Sequence, residues 1–259
     1  MSVILKALFL LIALVCMVLL QTLNVNFILT LVITFIVLMV CNYIVGGIER
    51  SIHVKALDTD CDPERYLRMM DKKTKRFRKN DRIKNYLAIN QAAGYMLLGK
   101  METALEILEN IDTSYLSEKN STYLAYTINL ILCYYALGEI EKAELLYQTD
   151  LVKLSPVLKR HKKAVEILVG ERYYYLKEYD KSYQYLKELL DFDLSKRQYL
   201  GILYILAQIE VIKGEHQKAE KKYRKIVKLG NKLWIAKEAQ KYLSSLEGNT
   251  TIHDCKDGM

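Results

Sequence analysis

From Ala7 to Ile48 the chain has no charged side chain, and Lys6 is the only one before that stretch. As a single α-helix the stretch would be roughly 63 Å long, about twice the hydrocarbon thickness of a bilayer. One span is therefore excluded. The polar break Gln21-Thr22-Leu23-Asn24-Val25-Asn26 divides it into Val3–Leu20 and Phe27–Val45. Each piece is close to the ~20 apolar residues needed to cross. The pattern predicts a two-helix transmembrane hairpin within residues 1–48, spanning about 3–20 and 27–45. Gly46-Gly47 should loosen its exit, and residues 49–61 should form a juxtamembrane linker.

The flanks set an expected topology. The turn has no Lys or Arg, whereas Lys6 precedes the first span and Arg50 and Lys55 follow the second. The positive-inside rule then places both termini of an integral membrane protein in the cytoplasm. The rival reading is a cleaved signal peptide, but no Ala-x-Ala site follows the first apolar run. Ala13-Leu14-Val15-Cys16 resembles a lipoprotein signal only faintly, because Val15 stands where a small residue belongs. Even with cleavage, the second span would stop transfer and leave the rest in the cytoplasm. The sequons Asn120-Ser121-Thr122 and Asn249-Thr250-Thr251 would then meet no glycosylation machinery.

The rest of the chain holds nearly all the charge. Two prolines and 11 glycines in 259 residues are too few for the turns of an all-β protein, and they exclude a collagen-like or Pro/Gly-rich disordered chain. Cys16, Cys41, Cys61, Cys133 and Cys255 are odd in number and form no Cys-x-x-Cys pair, so they read as free thiols in a reducing compartment. No His-Glu-x-x-His, Gly-x-Gly-x-x-Gly or phosphate-loop pattern occurs. The expectation is a non-enzyme without a cofactor. His253-Asp254-Cys255 could ligate a metal, but one trio on a polar tail is a poor site and none is assigned. Cys255 is also one residue too far from the end for prenylation.

Internal repetition organises the soluble part. Four signatures each follow one helix-periodic stretch and precede another. They are Leu98-Gly99-Lys100-Met101-Glu102-Thr103-Ala104-Leu105, Leu137-Gly138-Glu139-Ile140-Glu141-Lys142-Ala143-Glu144, Leu176-Lys177-Glu178-Tyr179-Asp180-Lys181-Ser182-Tyr183 and Lys213-Gly214-Glu215-His216-Gln217-Lys218-Ala219-Glu220. A glycine permits the left-handed residue that ends a first helix. The small residue, Ala104, Ala143, Ser182 or Ala219, lets the second helix come close. Each helix pair buries only one stripe, so neighbours must stack to complete a core.

These residues resemble the tetratricopeptide repeat (TPR) family. The matching positions are Ala92, Tyr95, Gly99 and Ala104; Tyr134, Gly138, Ala143 and Tyr147; Gly170, Tyr173, Tyr179 and Ser182; and Ala207, Gly214, Ala219 and Tyr223. Ile131 takes the small mid-helix place in the second block, and Lys177 replaces the turn glycine in the third. The small residue recurs at 37–39 positions, longer than the family's 34. The resemblance, which covers about Asn85 to Leu229, implies a TPR-like α-solenoid of about four helix–turn–helix repeats with flanking helices, so that with the transmembrane hairpin the whole chain is expected to be all-α. The repeats and a C-terminal capping helix, Leu233 to Leu246, occupy 85–246. A polar, disordered tail is expected over 247–259.

TPR arrays bind partners on a concave face lined by first helices. Carried over by alignment, that face comprises Ile89, Ala93, Met96, Ile128, Leu132, Tyr135, Ile167, Glu171, Tyr174, Tyr204, Gln208 and Val211. The set is mostly apolar and aromatic, which suits an amphipathic helix or an extended apolar segment. Chaperone-binding members hold a terminal carboxylate with Lys and Asn. Here Asn90 and Asn129 align but the basic partners are missing, so that mode is rejected. The alternative is a groove filled by the protein's own helices. The cluster Tyr173-Tyr174-Tyr175, Tyr179, Tyr183 and Tyr185 likewise reads either as packing or as part of a partner surface.

Residues 62–84 read as a basic helix leading into the repeats, opened by Asp62-Pro63-Glu64 as N-cap, first-turn proline and first-turn acid. A cap at Asn80 or Asp81 should start the first repeat helix. Within 65–84 lie Arg65, Arg68, Lys72, Lys73, Lys75, Arg76, Arg78, Lys79, Arg82 and Lys84 against Asp71 and Asp81, which equals the whole chain's net charge of +8. Arg65, Arg68, Lys72, Lys73, Lys75, Arg76, Arg78 and Lys79 form a candidate surface for anionic lipid headgroups. The alternative is a solvated face whose Tyr66, Met69, Met70 and Phe77 pack on the first repeat. No groove-reading motif accompanies the charge, so nucleic acid is not an expected partner.

The functional expectation is a non-catalytic scaffold or adaptor that recruits a protein partner to the cytoplasmic membrane face. The Lys-, Ile- and Tyr-rich composition fits a bacterial cell membrane. Two alternatives stay open: an assembly subunit contacted through the hairpin, and a lipid-surface-organising protein acting through 65–84.

Overall fold

The computed structural model describes residues 3–117, 121–151 and 161–254, and among these it is all-helical, with no strand. Two compact units divide the chain, 1–55 and 56–259.

The first unit holds α1 (Val3–Thr22) and α2 (Phe27–Val54), which pack on each other. The polar break forms the turn between them. Asn24 takes a positive φ of 55°, a conformation Asn tolerates. Asn26 caps α2, its side chain accepting from the Ile28 N–H at 2.9 Å. Thr30 and Thr34, one turn apart, are the buried residues of α2, whereas Phe27, Ile28, Phe35 and Tyr43 are each more than half exposed. Among the described residues one helix, Phe27–Thr59, is long and apolar enough to cross a membrane, and Leu8–Thr22 is a shorter apolar helix. The expected loosening at Gly46-Gly47 does not occur: α2 runs through both glycines to Val54, and Lys55–Thr59 adds a π-helical turn. Residues 49–59 of the expected linker are therefore helical. Each glycine costs about 1 kcal/mol against alanine, too little to break an otherwise favourable helix.

The second unit opens with α3 (Pro63–Arg76), capped by Asp62, whose Oδ1 accepts from the Arg65 N–H at 2.9 Å. Four helix pairs follow: α4 (Asp81–Met96) with α5 (Met101–Glu109), α6 (Thr122–Ala136) with α7 (Ile140–Leu146), α8 (Lys162–Tyr175) with α9 (Tyr179–Leu189), and α10 (Lys196–Ile212) with α11 (His216–Leu229). The last helix is α12 (Trp234–Asp254), so its backbone stays helical past Leu246 into the stretch expected to be disordered. Met1, Ser2, Asn120 and Cys255 to Met259 lie outside the described residues, and with them parts of the first sequon and of the His253-Asp254-Cys255 trio.

The four turns within the pairs are built alike. Gly99, Gly138, Lys177 and Gly214 have φ of 76°, 80°, 61° and 76°. In each, the next N–H reaches back to the carbonyl five positions before it: Lys100 to Tyr95, Glu139 to Tyr134, Glu178 to Tyr173, Glu215 to Glu210. These are Schellman ends, which satisfy carbonyls the helix would otherwise orphan. Beyond each turn the small residue is fully buried: Ala104, Ala143, Ser182 and Ala219 are all 0% exposed. Ser182 also donates to the Gly170 carbonyl at 2.8 Å. A Cβ on Gly170 would collide with Leu186, so the pair can approach only because that position is glycine.

First helices pack on first helices, α4 on α6, α6 on α8, α8 on α10 and α10 on α12. Tyrosines fill much of the space between them. Tyr135 stacks on Tyr175 with centroids 5.0 Å apart, and Tyr204 meets Trp234 edge-on at 5.2 Å.

Candidate functional site

The inner surfaces of α4, α6, α8 and α10, with the start of α12, line a half-open cavity of about 650 Å³. That volume falls within the usual range for ligand pockets. Nine of the twelve residues expected on a concave face line it: Ala93, Met96, Ile128, Leu132, Ile167, Glu171, Tyr174, Tyr204 and Gln208. The other three lie elsewhere. Ile89 is buried among Ala92, Ala104 and Leu108, and its carbonyl accepts from Asn129 Nδ2 at 3.4 Å, because α6 approaches too closely there to leave open space. Tyr135 turns into the core and donates from its hydroxyl to Glu144. Val211 packs in the core shared by α10, α11 and α12.

The aligned asparagines are both occupied. Asn90 accepts from the Tyr66 hydroxyl at 3.0 Å and donates to the Tyr86 carbonyl at 2.7 Å, while Asn129 is tied to α4 as described.

Sequence reasoning missed the closing wall. The Trp234 N–H donates to the Leu97 carbonyl at 3.1 Å, so the start of α12 reaches the end of α4. Nearby, Lys232 N–H donates to the Cys61 carbonyl, Asn231 Nδ2 donates to the Asp60 carbonyl, and the Lys232 ammonium lies 2.8 Å from Glu64. No local pattern announces these bonds; the chain's single Trp was the available signal.

The cavity's charges are unequal in their partners. Arg197 lies on the wall, but its Nε donates to Asp58 Oδ1 at 2.7 Å. Glu171 has no hydrogen-bond or ion-pair partner among the described residues. Burial pushes its carboxyl up to about 7, with Arg197 acting in the opposite direction. Tyr174 and Tyr175 follow it on the same face of α8, three and four positions on.

Two other acids, half-buried Glu144 and buried Glu210, do have partners, although Glu210 Oε2 is left without one. Glu144 pairs with Arg172 at 2.6 Å, and Glu210 accepts from Tyr183 at 2.9 Å and Lys222 at 2.5 Å. These are packing networks between neighbouring helices, away from the cavity.

On α3 the apolar side is spoken for: Tyr66 and Met70 are buried with Ala56 and Leu87, and Met69, Phe77 and Ile83 pack against them. Its basic side chains face outward. Lys72, Lys75, Arg76, Arg78 and Lys79 are exposed, with Arg76 over the Phe77 ring at 4.9 Å. Arg65 pairs with Asp60 at 3.1 Å and Arg68 lies 4.0 Å from Glu64, while Lys73 is half-buried.

Cys16, Cys41, Cys61 and Cys133 are free thiols, and burial pushes Cys133 up to about 12, which makes it unreactive. Among the described residues no three His, Cys, Asp or Glu side chains converge as metal ligands. Compared with known proteins, the chain matches no family model, no curated protein and no solved structure.

Proposed function

We propose that this protein is a membrane-anchored adaptor: α1 and α2 form a transmembrane hairpin, and the four helix pairs form a TPR-like solenoid that holds a protein segment against its inner face at the cytoplasmic side. The reading is non-catalytic, and the membrane is taken to be a bacterial cell membrane. One observation carries it. Nine side chains drawn from four successive first helices line one cavity, and the residues there are mainly apolar and aromatic. Such a surface is suited to a side-chain-rich segment and has no nucleophile–base pair for catalysis. The outward-facing apolar side chains of α2 support the anchor, since a stripe of that size in water would be an aggregation hazard. Anchoring would raise the effective concentration of any partner sharing the membrane surface.

The test is site-specific photocrosslinking in native membranes. A benzophenone side chain at Leu132, on the cavity wall, should give a discrete adduct with one partner. The same probe at Lys187, exposed on α9, should not. Identical adduct patterns from the two positions, or none from Leu132, would remove the adaptor reading.

A further inference from the structure

An unpaired carboxylate inside an apolar cavity is a cost to the fold that a glutamine of the same shape would avoid. Glu171 is such a group. Among the described residues, Arg197 is the one cation on the cavity wall and is already bonded to Asp58, and Glu171 has neither a hydrogen bond nor an ion pair. Two other acids in this unit are ion-paired: Glu144 with Arg172, and Glu210, through Oε1 alone, with Lys222 and Tyr183. Glu171 differs from both: it is partly buried, lines the cavity, and has neither a hydrogen bond nor an ion pair among the described residues.

Its surroundings specify the missing partner. Tyr174, Tyr204 and Trp234 present aromatic surface to the same cavity, and aromatic faces attract cations. Apolar walls lie on both sides, Ile128 and Leu132 from α6 and Ile205 from α10. From this charge and shape complementarity we infer that the cavity binds a segment of the partner protein carrying one basic side chain between apolar residues, with Glu171 as its counter-ion. The inference rests on the adaptor reading, and it adds the chemistry of the recognised segment. A neutral apolar segment would leave Glu171 buried without a partner, and an acidic one would place like charges together, so the carboxylate selects against both.

The test uses the full chain in detergent micelles and two pools of labelled peptides of about nine residues, with random Leu, Ile, Ala and Ser flanks. One pool has lysine at the centre and the other norleucine. At pH 8 the lysine pool should bind about tenfold more tightly by fluorescence anisotropy. That preference should vanish in Glu171→Gln, whose folding is checked by circular dichroism, and should shrink at pH 5.5. Equal affinity for the two pools, no binding of either, or a lysine preference that survives in Glu171→Gln would overturn the inference. So would full displacement of the lysine pool by n-butylammonium at matched concentration, which would make the site one for free amines. Equal binding of both pools would leave the adaptor reading intact, whereas loss of the Leu132 crosslink would remove that reading itself.

Discussion

Trp234 donates its backbone N–H to the carbonyl of Leu97 at 3.1 Å and sets its side chain against Gly99, joining the last helix to the first helix pair. The same glycine is the left-handed end of α4, so one residue serves both the turn and the closure. Gly99→Ala should therefore cost more than the equivalent change elsewhere. Gly138 has a similar φ of 80° but open space around its Cβ position, where a Cβ on Gly99 would lie 3.0 Å from that of Trp234. Gly138→Ala should cost about 1 kcal/mol from the left-handed backbone alone. Gly99→Ala should cost about 1–2 kcal/mol more, because a packed neighbour must move. Urea midpoints of the two variants decide it, and equal midpoints would mean that the closure adds nothing.

Lys177 does the work of a glycine with a long side chain. Its φ of 61° is the αL conformation that costs an L-residue about 1 kcal/mol or more. Lys177→Gly should raise stability by about 0.5–1 kcal/mol, less than the full strain because glycine also frees the unfolded chain. A lower melting temperature would show that the Lys177 side chain is itself stabilising.

Glu171 makes stability depend on pH in a stated direction. Its carboxyl is pushed up to about 7 from the ordinary 4.5, so the folded protein holds a proton there that the unfolded chain has released. Its favourable contribution is present below pH 4.5 and lost as pH rises through about 7. Glu171→Gln removes that loss, so it should stabilise the protein by about 1–3 kcal/mol at pH 8 and change little at pH 4.5. Parallel denaturation curves at both pH values test this. An unchanged difference between wild type and variant would show that Glu171 is well solvated.

The proposed hairpin predicts sidedness. Reporter fusions placed in the turn at Leu23 and after Gly248 should lie on opposite faces of the membrane, with the Gly248 fusion cytoplasmic. An extracytoplasmic signal at Gly248 would reverse the proposed location of the whole second unit.

The basic face of α3 is accessible, so whether it binds lipid can be measured apart from the proposed hairpin. The fragment from Ala56 onward corresponds to the second compact unit. It should bind vesicles containing anionic lipid, and added salt should release it. Changing Lys72, Lys75, Arg78 and Lys79 to Gln should abolish this binding while leaving the helical content intact, since all four are exposed. Equal, negligible binding of the unaltered fragment to neutral and anionic vesicles would leave α1 and α2 as the sole anchor.

Local chemistry by itself determined the helical character, the polar turn before α2, the Asp62 and Asn80 caps, the left-handed residues between paired helices and the buried small residues that follow them. Each depends on groups within a few positions of one another: Asn26 meets Ile28, Asn80 meets the Ile83 N–H at 3.0 Å, and Lys100 reaches back to Tyr95. The continuation of α2 through Gly46 and Gly47 was not legible, because a glycine's small helix penalty weakens a helix without dictating where it stops. The cavity was less legible still. It depends on Trp234 reaching Leu97, on Arg197 reaching Asp58 and on Asn129 reaching Ile89, contacts between residues far apart in the chain. Alignment of the repeats could say only that Ile89, Tyr135 and Glu171 belong to one expected face. Only the way the helices stack decided that the first two would be covered by neighbouring helices and that Glu171 would line the cavity without a hydrogen bond or ion pair among the described residues.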